Sequence, residues 1–261
     1  MEKELPILEF SDSKDVYITP EHLHEFLAEM PKTIILCFFN EAIKYVIDNF
    51  PSKVISNWHT EGLQHDIYVV NYKGKEIALT QAGVGAPQAA SLMEDLSAMG
   101  CVNFICIGAC GVLQKDLVRG HLIVPTCGVR DEGTSYHYIP PSYEIEADKE
   151  FIDKIIEQLG ILEVPFVTGK TWTTDAYFRE TKEKVELRKK QGCITVEMEF
   201  TACMAVAKHK DLKYGQILYA GDSLAGDVWD SRGWQGEKLK AITDNGRIKV
   251  LELLLEVSIK I

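Results

Sequence analysis

The sequence predicts an α/β fold in which helices cover both faces of a layered sheet, as a single-domain three-layer α/β/α sandwich. Apolar, β-branched runs alternate with helix-like periodicity along most of the 261 residues. Hydrophobic residues make up 46% and charged residues 26% of the chain, which supplies enough apolar material for a large core. No linker rich in Ser, Gly or Pro interrupts the alternation, so residues 1–261 are predicted to form one domain.

Each element follows from a local pattern. Runs rich in β-branched and aromatic residues predict strands at 33–39, 67–72, 76–81, 103–107, 121–130, 165–172 and 213–220, with a shorter strand at 193–196. Apolar residues at helical spacing predict helices at 87–99, 147–159, 181–190, 199–208 and 237–257. Pro87 and Gly100 bound the first helix, since proline is favoured in a first turn and glycine after a last one. Residues 1–30 lie outside the alternating core and are expected to be an N-terminal arm for a neighbouring subunit.

The charge balance and the hydropathy exclude several classes of partner. Twenty-eight Lys and Arg against 39 Asp and Glu give a net charge of −11, the wrong sign for binding nucleic acid or an anionic membrane. Apolar stretches fall short of the roughly 20 residues that a membrane helix needs. The start, Met-Glu-Lys-Glu, is acidic and has no apolar signal core, so a cytoplasmic protein is expected.

The seven cysteines are odd in number and form no Cys-x-x-Cys pair. We interpret them as buried free thiols of a reducing compartment. A metal site from Cys101, Cys106 and Cys110 is the alternative, but no histidine pair lies beside them at the spacing typical of zinc. His22 and His24 have no further ligands nearby and are interpreted as a solvated helix start. No metal and no cofactor are expected.

Small residues follow two of the predicted strands. Gly83 and Gly85 follow one, and Gly108, Ala109 and Gly111 end another. Strand ends of this kind bind ligands in α/β sheets because backbone N–H groups become available to anions. The Gly83 segment lacks the third glycine of a dinucleotide fingerprint, so a tight packing turn is the alternative interpretation and an NAD-dependent dehydrogenase ranks last.

Three acidic residues lie where predicted strands end. Glu197 and Glu199 flank Met198 at a strand-to-helix junction, where burying an unpaired carboxylate costs on the order of several kcal/mol. A ligand hydroxyl would offset that cost, whereas stabilisation by the helix dipole is the alternative. Asp222 ends an apolar strand and either faces a ligand or caps a helix.

Aromatic and basic residues complete the set of candidates. Trp172 and Tyr177, close to Arg179, offer faces on which a planar base could stack, with core packing as the alternative. His137 ends a polar stretch and either reaches a site or caps a turn.

Taken in order, these motifs resemble the nucleoside phosphorylase superfamily, which includes uridine phosphorylase, bacterial purine nucleoside phosphorylase and methylthioadenosine nucleosidase. The resemblance runs from about residue 33 to the C-terminus. It is carried by Gly83-Val-Gly85, Ile107-Gly-Ala-Cys-Gly111, Gly120-His-Leu-Ile-Val-Pro125, Arg130-Asp-Glu-Gly-Thr-Ser-Tyr-His137, Val196-Glu-Met-Glu199 and Gly221-Asp222. It implies a mixed, partly barrel-like sheet, a homodimer or homohexamer, and cleavage of the N-glycosidic bond of a nucleoside.

The resemblance also implies roles for individual residues. Glu199 would accept hydrogen bonds from ribose hydroxyls, Met198 would pack on the sugar, and Glu197 would support the base side. Asp222 matches the general acid that purine enzymes of the family use toward the base, a role that needs a raised carboxyl pKa. A carboxylate near the sugar would stabilise the oxocarbenium-like charge that develops as the bond breaks.

Further substrate contacts follow from the same resemblance. Trp172 and Tyr177 would line the base and sugar, and Arg179 would replace part of the loop that uridine enzymes use. The turns at Gly83, Gly108 and Ala109, together with His137, would complete the site.

Two positions depart from the family pattern. Phosphorylases of the family hold phosphate with an Arg ahead of the second glycine turn and a Ser or Thr inside it, whereas this chain has Cys106 and Ala109. Neither side chain recognises an anion as a guanidinium does. The nucleosidases of the family activate water with an acid near the end of the first strand, where Glu41 lies. Phosphorolysis with phosphate as co-substrate is the first hypothesis, hydrolysis with Glu41 as base the second, and a nucleoside-binding protein without turnover the third.

Overall fold

The structure is a computed structural model that describes residues 5–233 and 237–261, with side chains described outside 234–244. Within these ranges the strands are β1 Thr33–Cys37, β2 Ser52–His59, β3 Gln64–Tyr72, β4 Lys75–Gln81, β5 Asn103–Val112, β6 Leu122–Asp131, β7 Glu144–Glu146, β8 Phe166–Thr174, β9 Cys193–Glu197 and β10 Lys213–Ser223. The α-helices are α1 Asn40–Asn49, α2 Ala86–Met99, α3 Lys149–Ile161, α4 Lys182–Lys190, α5 Phe200–Lys210 and α6 Glu237–Ser258. Every strand and helix that the sequence predicts is present.

Three elements were not predicted: α1, β2 and the short β7. The strand β2 is exposed along most of its length, and Trp58 is its one buried residue. A strand that buries so little lacks the apolar run or alternation by which strands are recognised. Helix α1 was missed although its buried residues Ala42, Ile43 and Val46 follow helical spacing along one face.

Five strands close into a barrel. Strand β10 pairs in parallel with β5 and antiparallel with β6, β6 pairs in parallel with β8, β8 in parallel with β9, and β9 returns antiparallel to β5. The sheet then extends from β5 through β1, β4, β3 and β2, while β7 pairs with β6. The expected mixed, partly barrel-like sheet is confirmed.

Helices pack on both faces of the extended sheet, which confirms the three layers. On one face α2 and α5 enclose a core with Leu92, Met93, Phe104 and Phe200. On the other face α1, α3 and α6 enclose a second core with residues such as Leu254. Burying one such side chain stabilises the fold by about 1.5–3 kcal/mol, so these two cores hold the strand ends in place.

The seven cysteines are free and buried, as the sequence predicts. Among the described residues no helix is long and apolar enough to cross a lipid bilayer.

The N-terminal segment lies along its own chain at a few points. A short turn at Pro20–His22 leads to Leu27, whose N–H donates to the carbonyl of Met99 at 3.0 Å. Several apolar side chains of this segment are nevertheless exposed, namely Leu5, Val16, Tyr17, Ile18, Leu23 and Phe26. Residues 1–4 of the predicted arm lie outside the described residues. The role of the arm and the extent of the domain over 1–261 stay predictions.

Candidate active site

The buried carboxyl of Glu199 lies where the ends of β9 and β4 meet. Glu199 follows β9 at the start of α5, and its Oε1 accepts a hydrogen bond from the backbone N–H of Gly85 at 2.7 Å. Gly85 has φ +99°, a backbone conformation that other residues rarely adopt, and this orients its N–H toward the carboxyl. Burial raises the pKa of Glu199, the neighbouring Glu197 raises it further, and the Gly85 hydrogen bond offsets only part of this.

Both carboxylate oxygens of Glu197 accept hydrogen bonds from nearby groups of the protein. The hydroxyl of Thr173 donates to Oε1 at 2.5 Å, and the backbone N–H groups of Glu199 and Phe200 donate to Oε2 at 2.7 Å each. This carboxyl therefore satisfies the first N–H groups at the start of α5. Burial raises its pKa. Glu197 thus stabilises the turn that carries Glu199. Its expected contact with the base stays a prediction.

Asp222 belongs to β10, which pairs with the end of β5 on the opposite edge from β9 and this pair of glutamates. Its Oδ2 accepts a hydrogen bond from the indole Nε1 of Trp229 at 2.6 Å. A Cβ at Gly111 would lie 2.7 Å from Leu224 Cδ1, 3.0 Å from Val196 Cγ1 and 3.6 Å from Asp222 Oδ1. Glycine allows Leu224 and Val196 to approach β5 this closely, while the Asp222 carboxyl lies at ordinary contact distance. The structure thus brings Asp222 and the Glu197–Glu199 turn to opposite sides of Gly111.

Apolar side chains occupy the surroundings of Gly108. A Cβ at Gly108 would lie 2.9 Å from the ring carbon Cδ2 of Phe38, so the Phe38 ring covers this turn. Cys106 is fully buried, and burial raises the pKa of its thiol well above the ordinary value. Its side chain belongs to the core and offers nothing to an anion, as the sequence analysis expected.

Ala109 faces a separate, small pocket of about 50 Å³. The pocket is lined by Ala109, Arg119, Tyr219, Gly221, Asp222, Ser231 and Arg247. Two guanidinium groups and two hydroxyls around a small volume are the donors that oxyanions bind. The pocket shares Asp222 with the site around Gly111.

Glu41 reaches this pocket through Arg247. Glu41 is the second residue of α1, and its Oε1 pairs with Arg247 Nη1 at 2.8 Å. The guanidinium lies 4.5 Å from the ring of Phe39, and its buried Nε has no hydrogen-bond partner among the described residues. An ordered donor of this kind is available to a ligand.

The loop after β8 borders Asp222. Tyr177 and Phe178 are 54% and 87% exposed, with ring centroids 4.2 Å apart, and Arg179 is exposed beside them. Glu180 is half-buried, and burial, with the charge of Asp222, raises its pKa to about 7. Sequence reasoning missed Glu180, Trp229 and Phe38, since nothing in their spacing marks them.

Trp172 differs from the expectation. It is fully buried in a cluster with Leu113, Val129 and Val196, and its indole N–H donates to Asp131 at 2.9 Å. The guanidinium of Arg188 lies 5.4 Å from its ring centroid. The alternative interpretation, core packing, therefore describes Trp172, because a base cannot stack on a ring that is already enclosed.

The remaining predicted contacts are spread around the site. Met198 is half-buried between the two glutamates, and Gly83 is buried at the end of β4. His137 is exposed at the end of the short helical turn Thr134–His137.

One group of side chains among the described residues could hold a metal ion: Cys127, Glu144 and Glu146. Lys170 already pairs with Glu144 at 2.6 Å, and burial raises the pKa of the Cys127 thiol to about 12. A protonated thiol and a competing ammonium disfavour a metal, and this group lies apart from the residues described above.

Comparisons with known proteins agree with this geometry. The sequence profile of the Phosphorylase superfamily matches residues 32–257. The chain is 31% identical over 193 residues to uridine phosphorylase of Thermococcus kodakarensis, covering 69% of each protein. It is 28% identical over 165 residues to guanosine phosphorylase of Halorubrum lacusprofundi, covering 63% of this chain and 68% of the relative. The crystal structure of Vibrio fischeri uridine phosphorylase superposes with a TM-score of 0.76 at 23% identity, over 91% of this chain and 95% of the other.

Proposed function

The chain belongs to the phosphorylase superfamily, and on that basis we propose that it cleaves the N-glycosidic bond of a nucleoside, with a purine-type nucleoside preferred. The observation that carries the proposal is that the buried Glu199 carboxyl follows β9 and Asp222 lies on β10, the two strands that flank the end of β5 at Gly111 and Val112. A nucleoside has a sugar and a base. One acid on each side of β5 could therefore serve one part of the substrate each.

On the sugar side, Gly85 engages Oε1 of Glu199, and the second oxygen is proposed to accept the ribose hydroxyls. A hydroxyl donor would replace the hydration that burial removes, and it would favour the ionised form. Met198 is proposed to pack on the ribose. The carboxylate would then stabilise the positive charge that develops on the sugar as the bond breaks.

On the base side, Asp222 is proposed to donate a proton to the departing base. A purine that accepts a proton leaves as a neutral molecule, and a positioned acid contributes about 10²–10⁴-fold to such a step. The exposed ring of Tyr177 is proposed to stack on the base. Relatives are named for guanosine, uridine and purine nucleosides, so uridine is the alternative substrate.

Phosphate is the nucleophile we propose first. Arg119 and Arg247 line the pocket beside Ala109. They are proposed to replace the phosphate-binding arginine of the family, whose position Cys106 occupies in this chain. It adjoins Asp222, so an anion held there would lie near the reacting centre.

Water is the second candidate nucleophile. Phe38 covers Gly108, and Cys106 is buried in the core. This part of β5 is therefore apolar and offers no side-chain donor to an anion. Glu41 is the proposed base for this reaction, and Arg247 holds its carboxylate at 2.8 Å.

We further propose a homodimer or homohexamer located in the cytoplasm. The exposed apolar side chains of the N-terminal segment support an interface there. Sedimentation of the full chain tests the assembly, and a monomer at micromolar concentration would contradict it.

A chromatographic screen tests the activity. Adenosine, inosine, guanosine, uridine, thymidine and methylthioadenosine are each incubated with the protein, with and without phosphate. Free base that forms only with phosphate supports phosphorolysis, and equal release without phosphate supports hydrolysis. Absence of free base from every nucleoside, with tight binding of one of them, would contradict both and favour a binding protein.

A further inference from the structure

Trp229 returns to Asp222 through a closed loop. The backbones of Ser223 and Asp230 exchange two hydrogen bonds, of 2.9 and 3.0 Å. This bridge closes the loop 224–229 directly after β10. It turns the indole of Trp229 back so that Nε1 lies 2.6 Å from Asp222 Oδ2.

Two contacts hold the loop and a third holds Arg232 just after it, although Trp229 is 55% exposed. The N–H of Leu224 donates to the carbonyl of Val112 at 2.9 Å, which ties the loop to β5. Lys189 of α4 donates to the carbonyl of Ala225 at 3.3 Å. Arg232 Nη2 donates to the carbonyl of Leu117 at 2.7 Å. These contacts hold the indole in place without burying it.

We propose that Trp229 is a positioning residue that decides which oxygen of Asp222 carries the proton. An indole N–H donates and cannot accept, so it bonds more strongly to an oxygen without a proton than to a hydroxyl oxygen. With Oδ2 engaged, the proton of a neutral Asp222 lies on Oδ1. That oxygen faces Gly111 and Val196, on the side of the Glu199 turn.

The inference rests on the proposed function, in which Asp222 acts as general acid. The O–H bond at Oδ1 breaks as an N–H bond forms on the base. The electron pair of the glycosidic bond passes to the base, and the sugar carbon bonds either to phosphate or to a water that gives a proton to the proposed base Glu41. Asp222 is left as a carboxylate that already has one donor, at Oδ2.

Other charged or titratable groups also face Asp222. They are Cys110 on β5, Glu180 before α4, Arg119 and Arg247 in the shared pocket, and Arg232, which donates to the carbonyl of Gly221. None of them changes in a Trp229→Phe variant, which keeps a ring and removes only the N–H donor. The variant therefore isolates the loss of one hydrogen bond to a carboxylate oxygen.

The first test is the pH dependence of base release by Trp229→Phe. With Asp222 as general acid, we expect base release to fall at alkaline pH, where the acid has no proton to donate. We expect this fall to move upward by about 0.5–1 pH unit in the variant, since a hydrogen bond to a charged group is lost. We expect kcat at the optimum to fall about tenfold, with KM changed less than about twofold, because Asp222 is no longer oriented.

Trp58→Phe is the matched control. Its indole also donates to a carboxylate, Asp95, at 2.7 Å, but it lies away from the site. In this control, base release should decline at the same alkaline pH as in the wild type. A Trp229→Phe variant whose alkaline fall coincides with that of the wild type would overturn the inference.

The second test needs no activity. In ¹⁵N-labelled protein, the indole N–H signal of Trp229 should move with pH as Asp222 ionises and should stop titrating in Asp222→Asn. This result supports the positioning role even where no nucleoside is cleaved, in which case the proposed function alone has failed. An indole signal that is flat in the wild type overturns the inference whatever the substrate.

Discussion

The carboxyl of Glu199 and the backbone N–H of Gly85 meet at 2.7 Å across 114 residues of sequence. This contact joins the turn after β9 to the turn before α2. The two turns that the proposed ribose site requires therefore act as one unit, and a change in either should disturb the other.

Gly85→Ala should lower both stability and activity. At φ +99° an alanine is strained by about 1–3 kcal/mol, and relief of the strain turns the N–H away from Glu199. We expect kcat/KM to fall at least about tenfold. Urea denaturation and steady-state kinetics measure the two effects. Gly62→Ala is the control, because a Cβ there meets nothing within 4 Å; equal behaviour of the two variants would contradict the prediction.

Glu197→Ala should lose more stability than Glu199→Ala, whereas Glu199→Ala should lose more nucleoside binding. Removal of the Glu197 carboxyl leaves three donors without their acceptor: Thr173 Oγ1 and the N–H groups of Glu199 and Phe200. Each buried unpaired donor costs about 1–3 kcal/mol, whereas removal of Glu199 affects fewer donors, the backbone N–H groups of Gly85 and Met198. We expect the first variant to unfold at lower urea and the second to lose nucleoside binding by titration calorimetry. A Glu199→Ala protein that binds nucleoside normally would remove the proposed ribose role.

Glu180 should make stability depend on pH near neutrality. Burial and Asp222 raise its pKa from 4.5 to about 7 in the folded protein. The folded state therefore binds the proton more tightly than the unfolded chain does. This contribution is full below about pH 4.5 and is lost as pH rises through 7.

The Glu180→Gln variant tests this dependence. It should lose less stability than the wild type between pH 5 and pH 8, as measured by urea midpoints. Glu157→Gln, at an exposed position on α3, should follow the wild type. Parallel stability curves for all three proteins would show that Glu180 does not retain the proton.

Arg247→Met should weaken the use of phosphate if the protein is a phosphorylase. The guanidinium lines the pocket beside Ala109. We expect the KM for phosphate to rise about tenfold or more while the KM for nucleoside changes less, since a charge-assisted contact to the anion is lost. Lys44→Met, an exposed cation paired with Asp48 on α1, should change neither. An unchanged KM for phosphate would show that phosphate does not bind at Arg247.

Much of the fold could be predicted because its main elements have clear periodicity. The segments that became β5, β6, β8 and β10 are apolar and β-branched, and α2 has a proline start and a glycine end. Strand β2 could not be predicted, because it buries only Trp58. Helix α1 was missed although Ala42, Ile43 and Val46 recur at helical spacing. Trp172 shows a second limit, since an aromatic residue beside polar neighbours suits a stacking surface and a core equally well.

The sequence by itself determined the alternating architecture, the free thiols, the turn at Gly83–Gly85, and the acids Glu197, Glu199 and Asp222, because each depends on residue type and local spacing. The second predicted glycine turn is part of β5, which continues through Gly108 and Gly111 to Val112. Only the tertiary structure decided that Glu197 supports a turn while Glu199 contacts Gly85, that Phe38 covers Gly108, and that Trp229 bonds to Asp222. The physical reason is that hydrogen bonds and close contacts between residues far apart in sequence depend on how strands pair, and closure of the barrel sets that pairing.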